Sequence, residues 1–152
     1  MSRPLEPRVV READGWSHTW GLDRTVVKVS AEDSGGWFTL VEDNLQADWS
    51  LGSHHHAFHA ELFYILDGTV RFVVDGMDVE ATAGTTVYVP PDVVHEARAD
   101  TNARMLMFYT PGGFDRQLAK WADDASRVVR PLEEAAFDLF EESLGPGKVS
   151  AR

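Results

Sequence analysis

Two stretches of this 152-residue sequence decide the fold: residues 54–68 read HHHAFHAELFYILDG, and residues 84–95 read GTTVYVPPDVVH. Five of the six histidines lie at positions 54, 55, 56, 59 and 95, in or beside runs rich in Val, Ile, Phe and Thr. Runs of this kind, separated by Gly, Asp and Pro, are typical of strands joined by tight turns. The histidines are therefore concentrated in a region that is predicted to be β.

Four residues of these stretches are the predicted metal ligands. Side chains alternate between the two faces of a strand, so His54 and His56 should point the same way and His55 the opposite way. Glu61 opens the next run, and its carboxylate reaches the same point if that strand folds against the first. His95 lies where a later strand can add a third imidazole. We predict that His54, His56, Glu61 and His95 bind one divalent metal ion per subunit.

A histidine triplet alone is weak evidence for a metal, because neighbouring histidines are often solvated surface residues. An expression tag is excluded, since the triplet is internal and short. The spacing of the whole pattern favours a metal: His-x-His is followed by Glu61 and Gly68, and farther on by Gly84, Pro90 and His95. The chain has no cysteine, so the ligands must be imidazole and carboxylate, and these do not select among Fe, Mn, Ni, Co, Zn and Cu.

The surrounding sequence, from Arg24 to about Tyr109, predicts an all-β barrel core. Two Asp-Gly pairs, at 67–68 and 75–76, separate three apolar runs and indicate hairpin turns, because Gly accepts the positive φ of such turns. Further strands are predicted around a turn at Ser34-Gly35-Gly36 and in the later β region. These runs span residues 24–30, 36–43, 85–90, 93–99 and 103–109.

Beyond residues 111–113 the pattern changes to apolar residues at three- and four-residue spacing, which predicts two short C-terminal helices over residues 114–125 and 131–143. Trp121, Phe137 and Phe140 are expected to anchor these helices on the barrel. The first twenty residues are left unassigned. Their aromatic segment from Trp16 to Trp20 could form a lid over the barrel or seal a core edge, and we assign it no site role.

Length, composition and charge limit the possible domain organisation and the classes of partner. A single domain over residues 1–152 is expected, with a barrel core at about 24–110 and a helical extension at about 114–143. A net charge of −11 disfavours nucleic acid and anionic lipid as partners. The first ten residues lack the apolar run of a signal peptide, and no later stretch has the length of a membrane span. We therefore expect a cytoplasmic protein that acts on a small molecule.

The spacing of these residues resembles the cupin superfamily. Its first motif reads Gly, five residues, His-x-His, three or four residues, Glu, six residues, Gly; its second reads Gly, five residues, Pro-x-Gly, two residues, His, three residues, Asn. The sequence departs from these motifs at Asp48 and Asp92, which replace glycines, and at Ala99, which replaces the asparagine. None of the three is a ligand position, and Asp tolerates turn conformations that most residues avoid.

The flanking residues extend the likeness to single-domain, quercetin-dioxygenase-like cupins. The resemblance implies a jelly-roll barrel with the metal near its centre, and Glu61 as both ligand and catalytic proton acceptor. The ligands must then face the interior, so Phe63 and Ile65, and by hairpin continuation Val70 and Phe72, are expected to line an apolar substrate pocket.

Three functions remain open at this point. The preferred one is a dioxygenase acting on a small planar enol or phenol. The second is a non-redox cyclase, isomerase or dehydratase, and the third is a small-molecule-binding module without turnover.

Other residues near the predicted ligands are expected to lie outside the ligand group. His55 is expected to face away, and His59 to lie at most behind the ligands. Tyr64 alternates with Glu61 and should point outward, whereas the facing of Tyr88 and Tyr109 is left open. Apolar residues on both faces of several strands suggest that the C-terminal helices or a second subunit cover an outer face, and we expect a homodimer.

Overall fold

The computed structural model describes residues 5–123, which form ten strands and two helices. The strands are β1 Trp16–Trp20, β2 Asp23–Val29, β3 Thr39–Leu45, β4 Trp49–His54, β5 Ala60–Asp67, β6 Thr69–Val74, β7 Met77–Thr82, β8 Thr86–Val89, β9 His95–Ala99 and β10 Ala103–Thr110. The helices are α1 Ala31–Ser34 and α2 Phe114–Ala122. Neither helix is long and apolar enough to cross a membrane.

Two antiparallel sheets enclose the core. One has six strands in the order β1-β2-β3-β10-β5-β8, and the other has four in the order β4-β9-β6-β7. Burial alternates along the central strands, as in β10, where Met105, Met107 and Tyr109 are each at most 1% exposed. One face of each strand thus packs between the sheets. The prediction of an all-β jelly-roll barrel is confirmed.

The two Asp-Gly pairs have different roles. Asp75 and Gly76 have φ of 49° and 75° and join Val74 to its partner Met77, as expected for a type I′ hairpin turn. The hairpin predicted at residues 67–68 is wrong, because β5 pairs with β10 and β8 whereas β6 pairs with β7 and β9. Gly68, with φ of 76°, is instead the point where the chain crosses from one sheet to the other.

Gly68 is also a point of close backbone approach. A Cβ there would overlap the carbonyl oxygen of Asn102 and lie 2.9 Å from Cα of Ala103. The absence of a side chain therefore permits the crossing to pass directly beside the turn that precedes β10.

The segment predicted as a turn and strand at residues 34–43 folds differently at its start. Ser30 and Asp33 form a reciprocal capping box that begins α1, and Gly35 ends it with φ of 68°. The strand starts only at Thr39, three residues later than predicted. The capping hydrogen bonds satisfy backbone groups at both ends of this short helix.

Helix α2 begins as predicted, at Phe114, and Asp115 binds it to the barrel through hydrogen bonds. The Asp115 Oδ1 atom accepts hydrogen bonds from the Ala31 backbone N–H at 3.0 Å and from the Thr39 hydroxyl at 2.7 Å. Trp121 is 4% exposed, so it anchors the helix as expected. The second predicted helix, with Phe137 and Phe140, lies outside the described residues.

The two aspartates that replace motif glycines adopt left-handed backbone. Asp48 has φ of 71° and Asp92 has φ of 65°. Asp is among the few non-glycine residues that visit this region routinely, because its short side chain can hydrogen-bond locally. The turns on either side of the histidine stretch therefore keep a glycine-like conformation without glycine.

Candidate metal centre

The four predicted ligands converge from both sheets. His54 is the last residue of β4 and His95 the first of β9, and the two are directly paired across the four-stranded sheet. Glu61 lies on β5 of the opposite, six-stranded sheet. The expectation that the Glu61 strand folds against the histidine strand is therefore wrong in detail, because β4 and β5 do not pair. The carboxylate reaches the imidazoles across the interior of the barrel.

His56 does not lie on a strand, so strand alternation does not direct its side chain to the site. Strand β4 ends at His54, so His56 lies in the irregular segment that follows. Its carbonyl accepts a hydrogen bond from the backbone N–H of Asp92 at 2.7 Å, which ties this segment to the turn before His95. His55, between the two ligands, is half-buried and is not part of the ligand group.

The spacing of the four ligand atoms fits one divalent ion. All four lie within 4.8 Å of one another, and each residue is at most 3% exposed. Oε2 of Glu61 lies 3.0 Å from Nε2 of His95 and 3.2 Å from Nε2 of His56. Adjacent ligands at bond lengths of about 2.1 Å and right angles lie about 3 Å apart, so the observed separations match. This buried group of three histidines and one glutamate could hold a metal ion.

Two backbone carbonyls orient the paired histidines. Nδ1 of His54 lies 2.8 Å from the Gly52 oxygen, and Nδ1 of His95 lies 2.9 Å from the Val93 oxygen. A carbonyl can only accept, so in each case Nδ1–H donates and Nε2 is the ring atom directed at the other ligands. Hydrogen bonds of this type commonly fix the tautomer of a metal-binding histidine.

The electrostatics of the site favour a cation. Burial and the neighbouring His95 lower the pKa of His54 to about 4, so its imidazole is neutral near pH 7. Burial opposes ionisation of Glu61, but hydrogen bonds from His56 and His95 outweigh it and hold the pKa of Glu61 well below its usual range. Burial likewise lowers the pKa of His95, but the Glu61 carboxylate outweighs it and raises that pKa overall. An anionic carboxylate and buried imidazole rings therefore face one point, where a metal ion could take the place of the proton shared by Glu61 and His95.

The four residues predicted to line the pocket all face the interior. Phe63, Ile65, Val70 and Phe72 are each at most 2% exposed. The Phe63 ring centroid lies 4.8 Å from that of Phe72 and 6.1 Å from that of His95. Val70 and Phe72 approach from the opposite sheet and not by hairpin continuation from β5. Their role in lining a substrate cavity stays a prediction.

Three aromatic residues beside the ligands were missed or left open by the sequence. Tyr109 pairs with Glu61 in the register of β10 and β5 and is 1% exposed. Phe114, the first residue of α2, packs on it with a centroid distance of 4.4 Å. His59 is also 1% exposed, and its ring lies 4.3 Å from the ring of His56. Alternation along MLMFY could have suggested an inward Tyr109, but only the register places it next to Glu61.

Other aromatic residues lie away from the ligands. Tyr64 and Tyr88 are 44% and 56% exposed, which confirms the outward facing expected of Tyr64 and excludes Tyr88 from the interior. The segment from Trp16 to Trp20 forms β1, an edge strand of the six-stranded sheet, and Trp20 is buried in the core. It thus seals a core edge.

The chain was compared with known proteins. Residues 42–110 match the family described as Cupin domain. Quercetin 2,3-dioxygenase from Bacillus subtilis (strain 168) is 24% identical over 141 residues, which cover 91% of this chain and 42% of that enzyme. The chain therefore spans less than half the length of this curated relative.

Solved structures share the fold. KdgF from Halomonas sp. superposes with a TM-score of 0.66 at 12% identity, covering 73% of this chain and 99% of that one. The polyketide cyclase RemF from Streptomyces resistomycificus superposes with a TM-score of 0.59 at 18% identity, covering 69% and 80%. Residues 42–110, which match the Cupin domain family, include all four predicted ligands. The two-sheet barrel agrees with both superpositions. Residues 42–110 thus form a cupin domain, and the described barrel has the fold of the cupin structures.

Proposed function

We propose that the protein is a divalent-metal-dependent dioxygenase that acts on a small planar compound bearing an enol or phenol oxygen next to a carbonyl. One observation carries the proposal: a buried site of three imidazoles and one carboxylate lies in a chain similar over 91% of its length to a quercetin 2,3-dioxygenase. Iron, manganese, nickel or cobalt would suit the reaction, since the ligand types accept each of them.

The walls of the site favour a flat organic substrate. Phe63 lies near His95 and packs on Phe72. Tyr109 and Phe114 lie near His56. Apolar and aromatic surroundings bind planar molecules and exclude water, and a few polar groups then set the orientation of the ligand. The hydroxyl of Tyr109 is directed at Sδ of Met107, 3.4 Å away, so Tyr109 contributes mainly its ring.

Glu61 is the residue that would move a proton. Its low pKa keeps it ionised in the resting protein. When the substrate hydroxyl ionises, its O–H bond breaks and an O–H bond forms on a carboxylate oxygen of Glu61. A bound metal would supply Lewis-acid or redox chemistry to the same substrate oxygen.

Oxygen uptake tests the reaction class. Protein loaded separately with Fe(II), Mn(II), Co(II) and Ni(II) is mixed with a flavonol, and dissolved oxygen is followed together with flavonol absorbance. We expect one O₂ consumed per flavonol lost with at least one of these metals. Full turnover under strict anaerobiosis would instead assign the protein to the cyclase, isomerase or dehydratase class. Flavonol binding without turnover in either atmosphere would assign a binding module.

Glu61→Gln tests the proton acceptor. The amide has nearly the same volume but cannot hold the proton, so activity should fall by roughly 10²–10⁴-fold, the range for a general base. Retained metal, measured by elemental analysis, separates this loss from loss of the ion. A variant that turns over at the wild-type rate would limit Glu61 to a ligand and assign the proton to water or another side chain.

A further inference from the structure

We infer that helix α2 sets the geometry of the metal centre, because Phe114 together with His59 positions the ring of His56. The inference depends on the four-residue metal centre and not on the reaction that it catalyses. Phe114 and His59 are not among the ligands, so they would act through His56 as positioning residues.

His56 is held differently from the other two imidazoles. His54 and His95 end and begin paired strands, and each donates its Nδ1–H to a backbone carbonyl two residues earlier. His56 lies beyond the end of β4, where no sheet register directs its side chain. Its backbone is tied to Asp92, and its Nε2 lies 3.2 Å from Oε2 of Glu61, so the packing around the ring acts together with these contacts to set its rotation.

The packing around His56 is aromatic. The His59 ring lies over it at a centroid distance of 4.3 Å with planes 35° apart. Phe114 and Tyr109 meet it edge-on, at 5.8 Å and 75° and at 6.1 Å and 85°. All of these rings are at most 3% exposed. The energy of ring pairs at such distances depends on their orientation, so one face contact and two edge contacts define the plane of the imidazole.

The position of Phe114 is itself fixed by polar anchors. The next residue, Asp115, accepts from the Thr39 hydroxyl, and Thr39 Oγ1 accepts from the Gly113 backbone N–H at 3.0 Å. Thr39 pairs with Tyr109, and Tyr109 pairs with Glu61 across three strands. The same row of the six-stranded sheet therefore carries a metal ligand and the anchor of the helix.

This arrangement predicts a loss of metal affinity without loss of any ligand. Outer contacts that orient metal ligands typically contribute about 10–100-fold in affinity. Phe114→Leu keeps an apolar side chain but removes the ring, so we expect Co(II) to bind about tenfold more weakly and its visible absorption bands to shift. Asp115→Asn, which weakens the anchor but leaves the ring, should give a smaller change in the same direction.

The matched control is Leu118→Ala. Leu118 lies on the same helix and is fully buried in the core, so its truncation also destabilises the fold. Co(II) affinity, by competition with a chelator, and the visible spectrum are measured for each variant beside urea denaturation. The inference predicts that Leu118→Ala lowers stability but keeps the wild-type spectrum. Equal spectral changes in Leu118→Ala and Phe114→Leu would overturn it, as would a wild-type spectrum and affinity in Phe114→Leu.

Two substitutions at His59 separate packing from ligation. His59→Phe keeps a ring over His56 and should retain Co(II) binding close to wild type, whereas His59→Ala should weaken it about tenfold. Loss in both variants alike would mean that the nitrogen atoms of His59 matter, and the packing account would be wrong. Wild-type protein that binds no Co(II) would refute the metal centre itself. A protein that binds Co(II) but consumes no oxygen would refute only the proposed reaction.

Discussion

Replacement of Gly68 by alanine is expected to be far more damaging than the same change at Gly76. Both glycines have nearly the same backbone, with φ of 76° and 75°. A Cβ at Gly76 would meet nothing within 4 Å, but at Gly68 it would overlap the Asn102 carbonyl and crowd Ala103. The loss of stability in Gly76→Ala thus measures the cost of left-handed backbone alone, which is about 1–2 kcal/mol for a residue with a Cβ.

Gly68→Ala carries the same backbone cost and a displacement of the chain before β10. The clash is with backbone, which cannot rotate away, and forced shifts of a packed structure cost about 1–3 kcal/mol. We therefore expect a total loss of roughly 2–5 kcal/mol for Gly68→Ala, against about 1–2 kcal/mol for Gly76→Ala.

Urea denaturation of metal-free protein measures both losses, with the slope compared to detect any change in the transition. Gly84→Ala is a second control, since Gly84 has φ of 88° and nothing within 4 Å of its Cβ position. Equal losses for Gly68→Ala and both controls, within about 0.5 kcal/mol, would refute the role assigned to the crossing.

Three further outcomes follow from the site and its turns. Asp92→Gly should leave the free energy of unfolding nearly unchanged, whereas Asp92→Ala should lower it by about 1 kcal/mol. The reason is that alanine lacks the side chain that makes left-handed backbone tolerable. Urea denaturation of the two variants measures the difference. The metal-free protein should lose stability as the pH falls from about 6.5 towards 4, because unfolded His54 takes up a proton that the folded residue, with its pKa lowered to about 4, excludes. His95 acts in the opposite direction, so the difference between wild type and His54→Gln at about pH 7 and pH 5 is the measurement, and a constant difference would contradict the assignment. Removal of the metal by a chelator should lower the melting temperature, since an ion that binds only the folded site stabilises it; His54→Ala/His95→Ala should bind less metal and be insensitive to chelator.

Much of the fold could be predicted from local sequence patterns. Apolar runs and the Asp75-Gly76 turn predicted the hairpin of β6 and β7, because alternation and turn chemistry depend on neighbours in sequence. The same rule failed at Asp67-Gly68. A dipeptide that accepts positive φ serves equally for a hairpin and for a crossing between sheets, and only long-range pairing distinguishes them.

The four residues that can hold a metal, and the type of chemistry they allow, could be predicted from the sequence. Residue types and spacing carry that information, since imidazole and carboxylate are ligands in any fold that brings them together. The tertiary structure alone decided how they meet: His54 and His95 from one sheet, Glu61 from the other, and His56 from outside any strand. It also decided which aromatic residues surround them. Phe114 follows Glu61 by more than fifty residues, and its approach to His56 depends on strand register and on the Asp115 anchor, which no local pattern contains.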